Sequence, residues 1–432
     1  MKQTPASPSQ LVHIEKPIYG GNFLARDNGK AIFVPFALPG EEARIRIVED
    51  KSKRGFATAS VEEIISPASE RTEPACPHFG SCGGCNYQHA SYTAQLSYKQ
   101  AILRETFDRA GVTPSDQIDV LASEPWAYRN RIRLAFDAQG RPGYRASASH
   151  AVVPIEACPI AAPILVKAAL AAANLLRKLQ PRPRISEIVL FTNAEETELL
   201  VSIFLAAPAK VRFEEFAAAL QQEIPALTGA ELAIEGRNGQ PQRQLAQWGA
   251  KSLTYTAAGF AYRVDHGAFF QVNRFLIDKL VGRVLANQSG ALAWDLFAGV
   301  GLFSRQLTSQ FSHVTAVEIA PSATKALEAN LAGTSSEAIR ATTLDFLRRK
   351  HSGPRPDLIV VDPPRAGLGA EVTSALAKTA APALIYVSCD PTTLARDLRA
   401  LFASGYVLES LALADLFPQT FHLESVVHLR HA

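Results

Sequence analysis

From His266 onward, short apolar stretches alternate with helical segments, and each stretch ends at a polar or glycine-rich turn. WDLF ends at Phe297, VTAVE at Glu318, DLIVVD at Asp362 and ALIYVSC at Cys389. Apolar strands separated by helices predict a parallel, doubly wound α/β sheet of Rossmann type. Ligands of such sheets bind beyond the carboxyl ends of the strands. Asp295, Glu318, Asp362 and Cys389 fall at such ends, and Asp345 follows IRATT, which reads as a further strand. The whole chain has 432 residues, too many for one ordinary core, so two or three domains are expected.

The strand ALAWDLF runs into AGVGLFS, where Gly299 and Gly301 allow a tight turn and close approach of the backbone to a ligand. Glu318 ends the next strand about 20 positions on, from where an acidic residue can reach ribose hydroxyls. The pattern suits S-adenosylmethionine enzymes and NAD enzymes alike. Against NAD, position 304 is Ser, so the full G-x-G-x-x-G is missing; no Walker lysine follows either.

Cys389 stands apart from the other four cysteines. Asp390 reads as an N-cap and Pro391 as a first helical residue. The sulfur is therefore expected near a helix N-terminus, a setting that favours the thiolate. A nucleophilic thiolate beside a methyl donor points to one chemistry. Carbon 5 of uracil is a poor nucleophile, but addition of a thiolate at carbon 6 turns it into an enolate that can take a methyl group. A base must then remove the carbon 5 proton so that the thiolate can leave. In FPQTFHLESVVHLR, the strand HLESVVHL carries Glu424 among apolar neighbours, where partial burial raises a carboxyl pKa and suits it to that task. His422 is the rival base.

The first half of the chain reads differently. Residues 1–9 look like a disordered tail. From Leu11 to Pro67 the pattern is β, with a hairpin at Asn28-Gly29. Lys51, Lys53 and Arg54 lie in the loop between ARIRIVED and ATASVEEII. Short strands without helices predict a small OB-like barrel, a type that often binds nucleic acid. A helix is expected over Tyr92–Ala110. In YRNRIRLAF, Arg129, Arg131 and Arg133 alternate onto one strand face, which could track phosphates. Cys76, Cys82 and Cys85 form C-x5-C-x2-C, with Cys158 far downstream. Four soft ligands suit zinc or an iron–sulfur cluster, and zinc sites more often use paired short spacings. Net charge is only +3, so any basic surface must be local. No apolar run reaches membrane-spanning length, and MKQTPASPSQ has no signal-peptide core. A cytoplasmic location is expected, where disulfides are rare.

Taken together, FFQVN (269–273), DLFAGVGLFS (295–304), VE (317–318), DPPRAG (362–367), YVSCDPTTLARDL (386–398) and FPQTFHLE (417–424) resemble the RNA uracil-5-methyltransferases, which make 5-methyluridine in ribosomal and transfer RNA. The resemblance covers nearly the whole chain. It implies Cys389 as nucleophile and Glu424 as general base. It implies S-adenosylmethionine contacts from Gln271, Phe297, Glu318 and Asp362, with Asp345 and the Gly299/Gly301 loop contributing. The cysteine spacing, with the GGC and QHASY that follow, looks like the family's [4Fe-4S] site on Cys76, Cys82, Cys85 and Cys158, and is favoured over zinc on that ground. The barrel resembles the TRAM domain, which strengthens an RNA-binding reading of Lys51, Lys53 and Arg54. Arg365 separates the chain from amino-methyltransferases, whose motif ends in an aromatic residue. Two positions depart: Ala298 stands where the family often has cysteine, and Leu302 where some members have asparagine.

The expected organisation is a barrel at 8–67, a mixed α+β central domain with the iron–sulfur site and RNA contacts at 68–265, and a methyltransferase domain at 266–432, with the 92–110 helix free to pack on it. The barrel-plus-cluster architecture resembles the 23S rRNA members most, with transfer RNA as the second substrate; a monomer is expected. Three rivals remain: a non-catalytic RNA-binding iron–sulfur protein, a methyltransferase for another base, and a redox protein. The first does not account for Cys389 together with Glu424, the second would need neither of them in these positions, and the third would need an electron partner that the sequence does not show.

Overall fold

Along the first strand-forming stretches buried residues alternate with exposed ones, the period of a sheet with one wet face. The computed structural model describes residues 9–113, 117–180, 182–234, 236, 242–350 and 353–432. It curls these stretches into a closed barrel. Strands β1 (Gln10–Ile18), β2 (Asn22–Asp27), β3 (Lys30–Pro35), β4 (Glu42–Lys51) and β5 (Phe56–Ser66) run in the order β1-β2-β3-β5-β4, and β1 pairs with β4 to close the ring. Asn28 and Gly29 join β2 to β3 with φ of 48° and 81°, both left-handed, as a type I′ turn requires. Of the tail expected at 1–9, residues 1–8 lie outside the described residues.

After the cysteine loop comes helix α1 (Tyr92–Arg109), capped by the Ser91 hydroxyl, and then β6 (Asp119–Leu121). A mixed sheet follows, built from β7 (Arg131–Phe136), β8 (Pro142–Arg145), β9 (Val152–Pro154), β10 (Ile185–Thr192), β11 (Leu199–Leu205), β12 (Leu227–Ile234) and β13 (Arg243–Gly249). Its order is β13-β12-β11-β10-β7-β8-β9. Helices α2 (Pro163–Lys178) and α3 (Phe213–Glu223) share a core with it, through residues such as Leu165, Leu190 and Phe216. Strands β14 (Ser252–Ala257) and β15 (Phe260–Asp265) form a separate hairpin.

The arginine face expected on β7 does not form. The Arg131 guanidinium lies 4.2 Å from the Phe191 ring centre, and burial pulls its pKa down to about 10. Arg129 precedes the strand and borders the cysteine cavity. Arg133 alone of the three is exposed, and it is ion-paired with Glu187.

The last sheet is the one legible in the sequence. It contains β16 (Gly290–Leu296), β17 (Phe311–Glu318), β18 (Glu337–Arg340), β19 (Leu358–Val361), β20 (Ala383–Ser388), β21 (Tyr406–Ala414) and β22 (Ser425–His431). Its helices are α4 (Ile277–Leu285), α5 (Leu302–Leu307), α6 (Pro321–Leu331), α7 (Thr343–Lys350), α8 (Gly369–Thr379) and α9 (Pro391–Phe402). The order is β18-β17-β16-β19-β20-β22-β21-β6, parallel from β18 to β20. Strands β17 and β19 flank β16, so the order reverses there and leaves a crevice beyond the strand ends. Strand β22 runs antiparallel to both its neighbours, so its first residues lie beside the last residues of β20.

One expectation is corrected here. The strand read in IRATT ends at Arg340, and Asp345 lies in the first turn of α7. The Thr342 hydroxyl accepts the Asp345 N–H at 3.1 Å and donates to its carboxylate at 2.7 Å, a local cap. Around residue 265 the chain packs continuously with the last sheet. Leu253, Tyr255 and Val264 of the β14–β15 hairpin are buried with Leu280 and Val300, and the Tyr262 hydroxyl donates to the Leu302 carbonyl at 3.0 Å. Helix α1 is also part of this last layer: Ile102, Leu103 and Phe107 are buried with Leu394 and Leu398 of α9, while β6 pairs with β21 at the sheet edge.

Candidate active site

Strand β16 ends in a left-handed run. Phe297 has φ 68°, Gly299 57° and Gly301 92°. Glycine adopts such angles freely, whereas Phe297 does so at a cost, a common mark of a functional turn. Beside this turn Glu318 ends β17. Its carboxylate accepts the Gly299 N–H at 2.9 Å and the Ala320 N–H at 2.7 Å, so it braces the loop and retains acceptor capacity for a ligand hydroxyl. Asp295, fully buried beneath the loop, accepts the Ser304 hydroxyl. Burial pushes its carboxyl up to about 6, against the pull of that bond.

Across the switch point, Asp362 follows β19. The Gln271 side-chain amide donates to it at 3.3 Å, and the Gln271 carbonyl is held by Asn130 at 2.9 Å. Burial and the neighbouring Asp295 charge push Asp362 up to about 7. Gln271, Phe297, Gly299, Gly301, Glu318 and Asp362 thus gather around one crevice. Asp345 lies exposed in the first turn of α7, bonded to Thr342.

The last register pair of β20 and β22 is Ser388 with Ser425. The next residues outward, Cys389 and Glu424, therefore lie side by side just past the paired strands. Glu424 precedes β22 rather than lying within it, as the reading of HLESVVHL had it. Its side chain is buried. Burial, then the Asp362 charge, push its carboxyl well above the usual range, while Arg365 opposes them. His422 is held neutral: burial first, then the Arg365 charge, pull it down to about 4, and Arg365 donates to its Nδ1 at 3.2 Å.

Cys389 behaves opposite to expectation. Burial pushes its thiol up to about 12, with the charges of Glu424 and Asp362 adding to this and Arg365 opposing it. The helix N-terminus does not compensate, because the Asp390 carboxylate already accepts the Thr392 and Thr393 N–H groups. Sequence alone gave no sign of two further contributors. Arg365 is the cation whose charge acts on the Cys389 thiol, Glu424 and His422. Tyr19, from the barrel, donates to Asp390 at 3.1 Å and packs edge-on against Phe421 at 5.8 Å. The barrel therefore supplies part of the site wall.

The four remaining cysteines, Cys76, Cys82, Cys85 and Cys158, border one cavity of about 70 Å³ with Phe79, Tyr144 and Ile155. All are free thiols. Burial raises Cys76 and Cys82, and carries Cys85 to about 12, with the neighbouring sulfurs adding to each. Among the described residues no three Cys, His, Asp or Glu side chains are arranged to hold a metal ion as they stand. A single tetrahedral zinc needs its sulfurs drawn to about 2.3 Å from one centre. Lys51 sits 5.7 Å from the Phe56 ring centre at the barrel surface, with Lys53 and Arg54 exposed beside it. No helix among the described residues is long and apolar enough to cross a membrane.

A family model described as tRNA (Uracil-5-)-methyltransferase matches residues 91–346 and 355–432, and one described as TRAM domain matches residues 9–61. A 23S rRNA (uracil(1939)-C(5))-methyltransferase of Chromohalobacter salexigens is 33% identical over 96% of this chain and 88% of its own. The Pectobacterium atrosepticum protein of the same name is 33% identical over 95% of this chain and 91% of its own. Among solved structures, the Pyrococcus abyssi tRNA (uracil-54, C5)-methyltransferase in complex with S-adenosyl-L-homocysteine superposes with a TM-score of 0.77, covering 97% of this chain and all of that one at 22% identity.

Proposed function

Since the chain belongs to the tRNA (uracil-5-)-methyltransferase family and is an RNA uracil-C5-methyltransferase, we propose that it methylates a uridine of 23S rRNA through a covalent adduct between Cys389 and carbon 6 of the base. The observation that carries this reading is that Cys389 and Glu424 stand together one residue beyond the Ser388–Ser425 pair, beside the turn that holds Phe297, Gly299 and Gly301. S-adenosylmethionine supplies the methyl group when bound in that crevice. In this reading Glu318 would accept its ribose hydroxyls, and Gln271 and Asp362 would take its polar end.

Cys389 begins as a thiol, releases its proton to solvent, and forms the bond from sulfur to carbon 6. Arg365 stabilises the thiolate, since it is the group that opposes the upward push on Cys389. The adduct places negative charge at carbon 5, which takes the methyl group. Glu424 then removes the carbon 5 proton. The carbon 5–carbon 6 double bond re-forms, the bond to sulfur breaks, and its electrons return to Cys389. A carboxyl raised by burial is a stronger base than a surface one. His422 is less suited, because it is pulled down to about 4 and engaged by Arg365. Access to carbon 6 requires the uridine to be flipped out of any stack.

The cysteine cavity favours a [4Fe-4S] cluster held by Cys76, Cys82, Cys85 and Cys158. All four residues border that one cavity, and thiolates drawn together there would be neutralised by cationic iron. Such a cluster would cross-link the 76–85 loop to Cys158 and would take no part in the methylation steps.

The test is a denaturing gel of enzyme with 5-fluorouridine RNA and S-adenosylmethionine. Fluorine at carbon 5 blocks elimination, so a covalent complex is expected with the parent protein and none with Cys389→Ala. A methylated product without any adduct would overturn the mechanism. Mapping 5-methyluridine in ribosomal and transfer RNA from cells lacking the gene tests the substrate. Loss at a 23S uridine is expected, and loss confined to transfer RNA would replace the substrate and keep the chemistry.

A further inference from the structure

Among the described residues, no hydrogen bond holds the Glu424 carboxylate. Its place is set by its backbone, anchored by the Ala414 N–H on the Glu424 carbonyl at 2.8 Å and by the loop that leads into it. That loop contains a non-glycine residue in the left-handed region: Gln419, with φ 68°. Such a conformation persists only where the surroundings over-determine it, and here they do. Gln419 is 2% exposed. Its N–H donates to Gln95 Oε1 at 2.9 Å, and its Oε1 accepts from Gln95 Nε2 at 2.9 Å. Its carbonyl accepts the N–H groups of both Asn86 and Tyr87 at 3.0 Å. Gln95 also donates to the Tyr87 and Ala90 carbonyls at 3.1 and 2.9 Å. The preceding carbonyls are held as well: Pro418 by the Tyr128 hydroxyl at 2.9 Å and Phe417 by the buried Lys99 ammonium at 3.0 Å.

We propose that Gln419 and Gln95 are positioning residues through which the cysteine loop fixes the catalytic base. Asn86 directly follows Cys85, so the last residues of the cysteine loop are bonded to the peptide five residues before Glu424. The clamp joins the cysteine loop and the start of α1 to a segment 324 positions on from Gln95 and holds a strained residue in doing so, yet none of its members contacts the crevice chemistry. What it determines is where an otherwise untethered carboxylate stands relative to carbon 5. This rests on the covalent reading above: proton removal at carbon 5 is the step that should fail when the clamp loosens, while attack by Cys389, on the other strand, should proceed.

The experiment uses the full-length protein and two variants, with a uridine RNA fragment and its 5-fluorouridine counterpart. Gln95→Met keeps the volume and removes the amide pair. Gln419→Gly accepts the left-handed backbone freely and removes the side chain, so it remains informative should Gln95→Met fold poorly. For either variant, kcat on uridine RNA should fall by about a hundredfold while KM for the RNA stays within about twofold. A denaturation-resistant adduct should accumulate on ordinary uridine RNA, because the sulfur cannot leave. The 5-fluorouridine adduct should form as with the parent. Parent-like turnover, or kcat and RNA affinity falling together without adduct accumulation, would overturn the clamp and leave the covalent reading intact. Absence of any 5-fluorouridine adduct with the parent protein would overturn the covalent reading itself.

Discussion

Replacing Lys99 with Met tests whether the buried charge pair that secures α1 to the catalytic layer matters as its geometry suggests. Lys99 and Asp415 are 2.6 Å apart and both fully buried. At an effective dielectric constant of about 20, unit charges at that separation attract by about 6 kcal/mol. Removing both from water returns several kcal/mol of that gain, and burial alone pulls the Lys99 pKa down, against the raising charge of Asp415. The net value of the intact pair is therefore modest. Breaking it is another matter. Lys99→Met replaces the methylene stem with one of similar bulk but leaves the Asp415 carboxylate buried without its ammonium, at a cost of about 3–5 kcal/mol. Converting both, as Lys99→Met with Asp415→Leu, should recover most of that loss. Urea unfolding followed by tryptophan fluorescence reads this directly, since Trp294 packs against Phe346 in the same layer, with ring centres 4.9 Å apart. A loss below about 1 kcal/mol for the single variant, or a double variant no more stable than the single, would refute the reasoning.

Asp295→Asn should remove a pH dependence. A carboxyl raised from 3.8 to about 6 contributes stability at acid pH that is lost as pH rises through 6, roughly 3 kcal/mol in all. Relative to the parent, the variant should gain stability between about pH 4 and 7 in urea midpoints, while Ser304 keeps an acceptor. For the reaction, kcat/KM should rise with pH as Asp362, at about 7, ionises, and should continue rising because the Cys389 thiol lies at about 12. Arg365→Gln should slow the reaction at pH 7 by about tenfold, with the deficit shrinking toward alkaline pH in single-turnover rates. Gly301→Ala would bring a Cβ to 2.6 Å from Leu327 Cδ1 at a φ of 92°, so stability should fall by about 1 kcal/mol or more and S-adenosylhomocysteine should bind more weakly by calorimetry. Cys158→Ser should lower the iron and sulfide content of anaerobically reconstituted protein, and iron removal from the parent should lower its melting temperature.

How much was legible depended on how local the cause was. The parallel strands of the last sheet were readable because each is a continuous apolar run stopped by a polar residue. The Asn28-Gly29 turn and the Asp390 cap were readable because they are settled within four residues. IRATT misled because Thr342 and Asp345 cap each other and start a helix where a propensity reading continued the strand. The Arg129, Arg131 and Arg133 face failed because alternation fixes which side a residue faces, not what it meets there: Phe191 takes Arg131, the cysteine cavity takes Arg129 and Glu187 pairs with Arg133.

The sequence by itself determined the chemistry available: a lone cysteine, a carboxyl near the chain end, a glycine turn followed by Glu318, and four cysteines spaced for a shared site. Only the tertiary structure decided the state of those groups. Whether Cys389 rests as thiol or thiolate depends first on its burial and then on Glu424, Asp362 and Arg365, which stand beside it through strand register and crossovers rather than through sequence proximity. Tyr19 reaches Asp390 across 371 positions, and Gln95 reaches Gln419 across 324. Electrostatic interaction and hydrogen bonding act over a few ångströms of space, so separations of that length become contacts only once the fold has closed them.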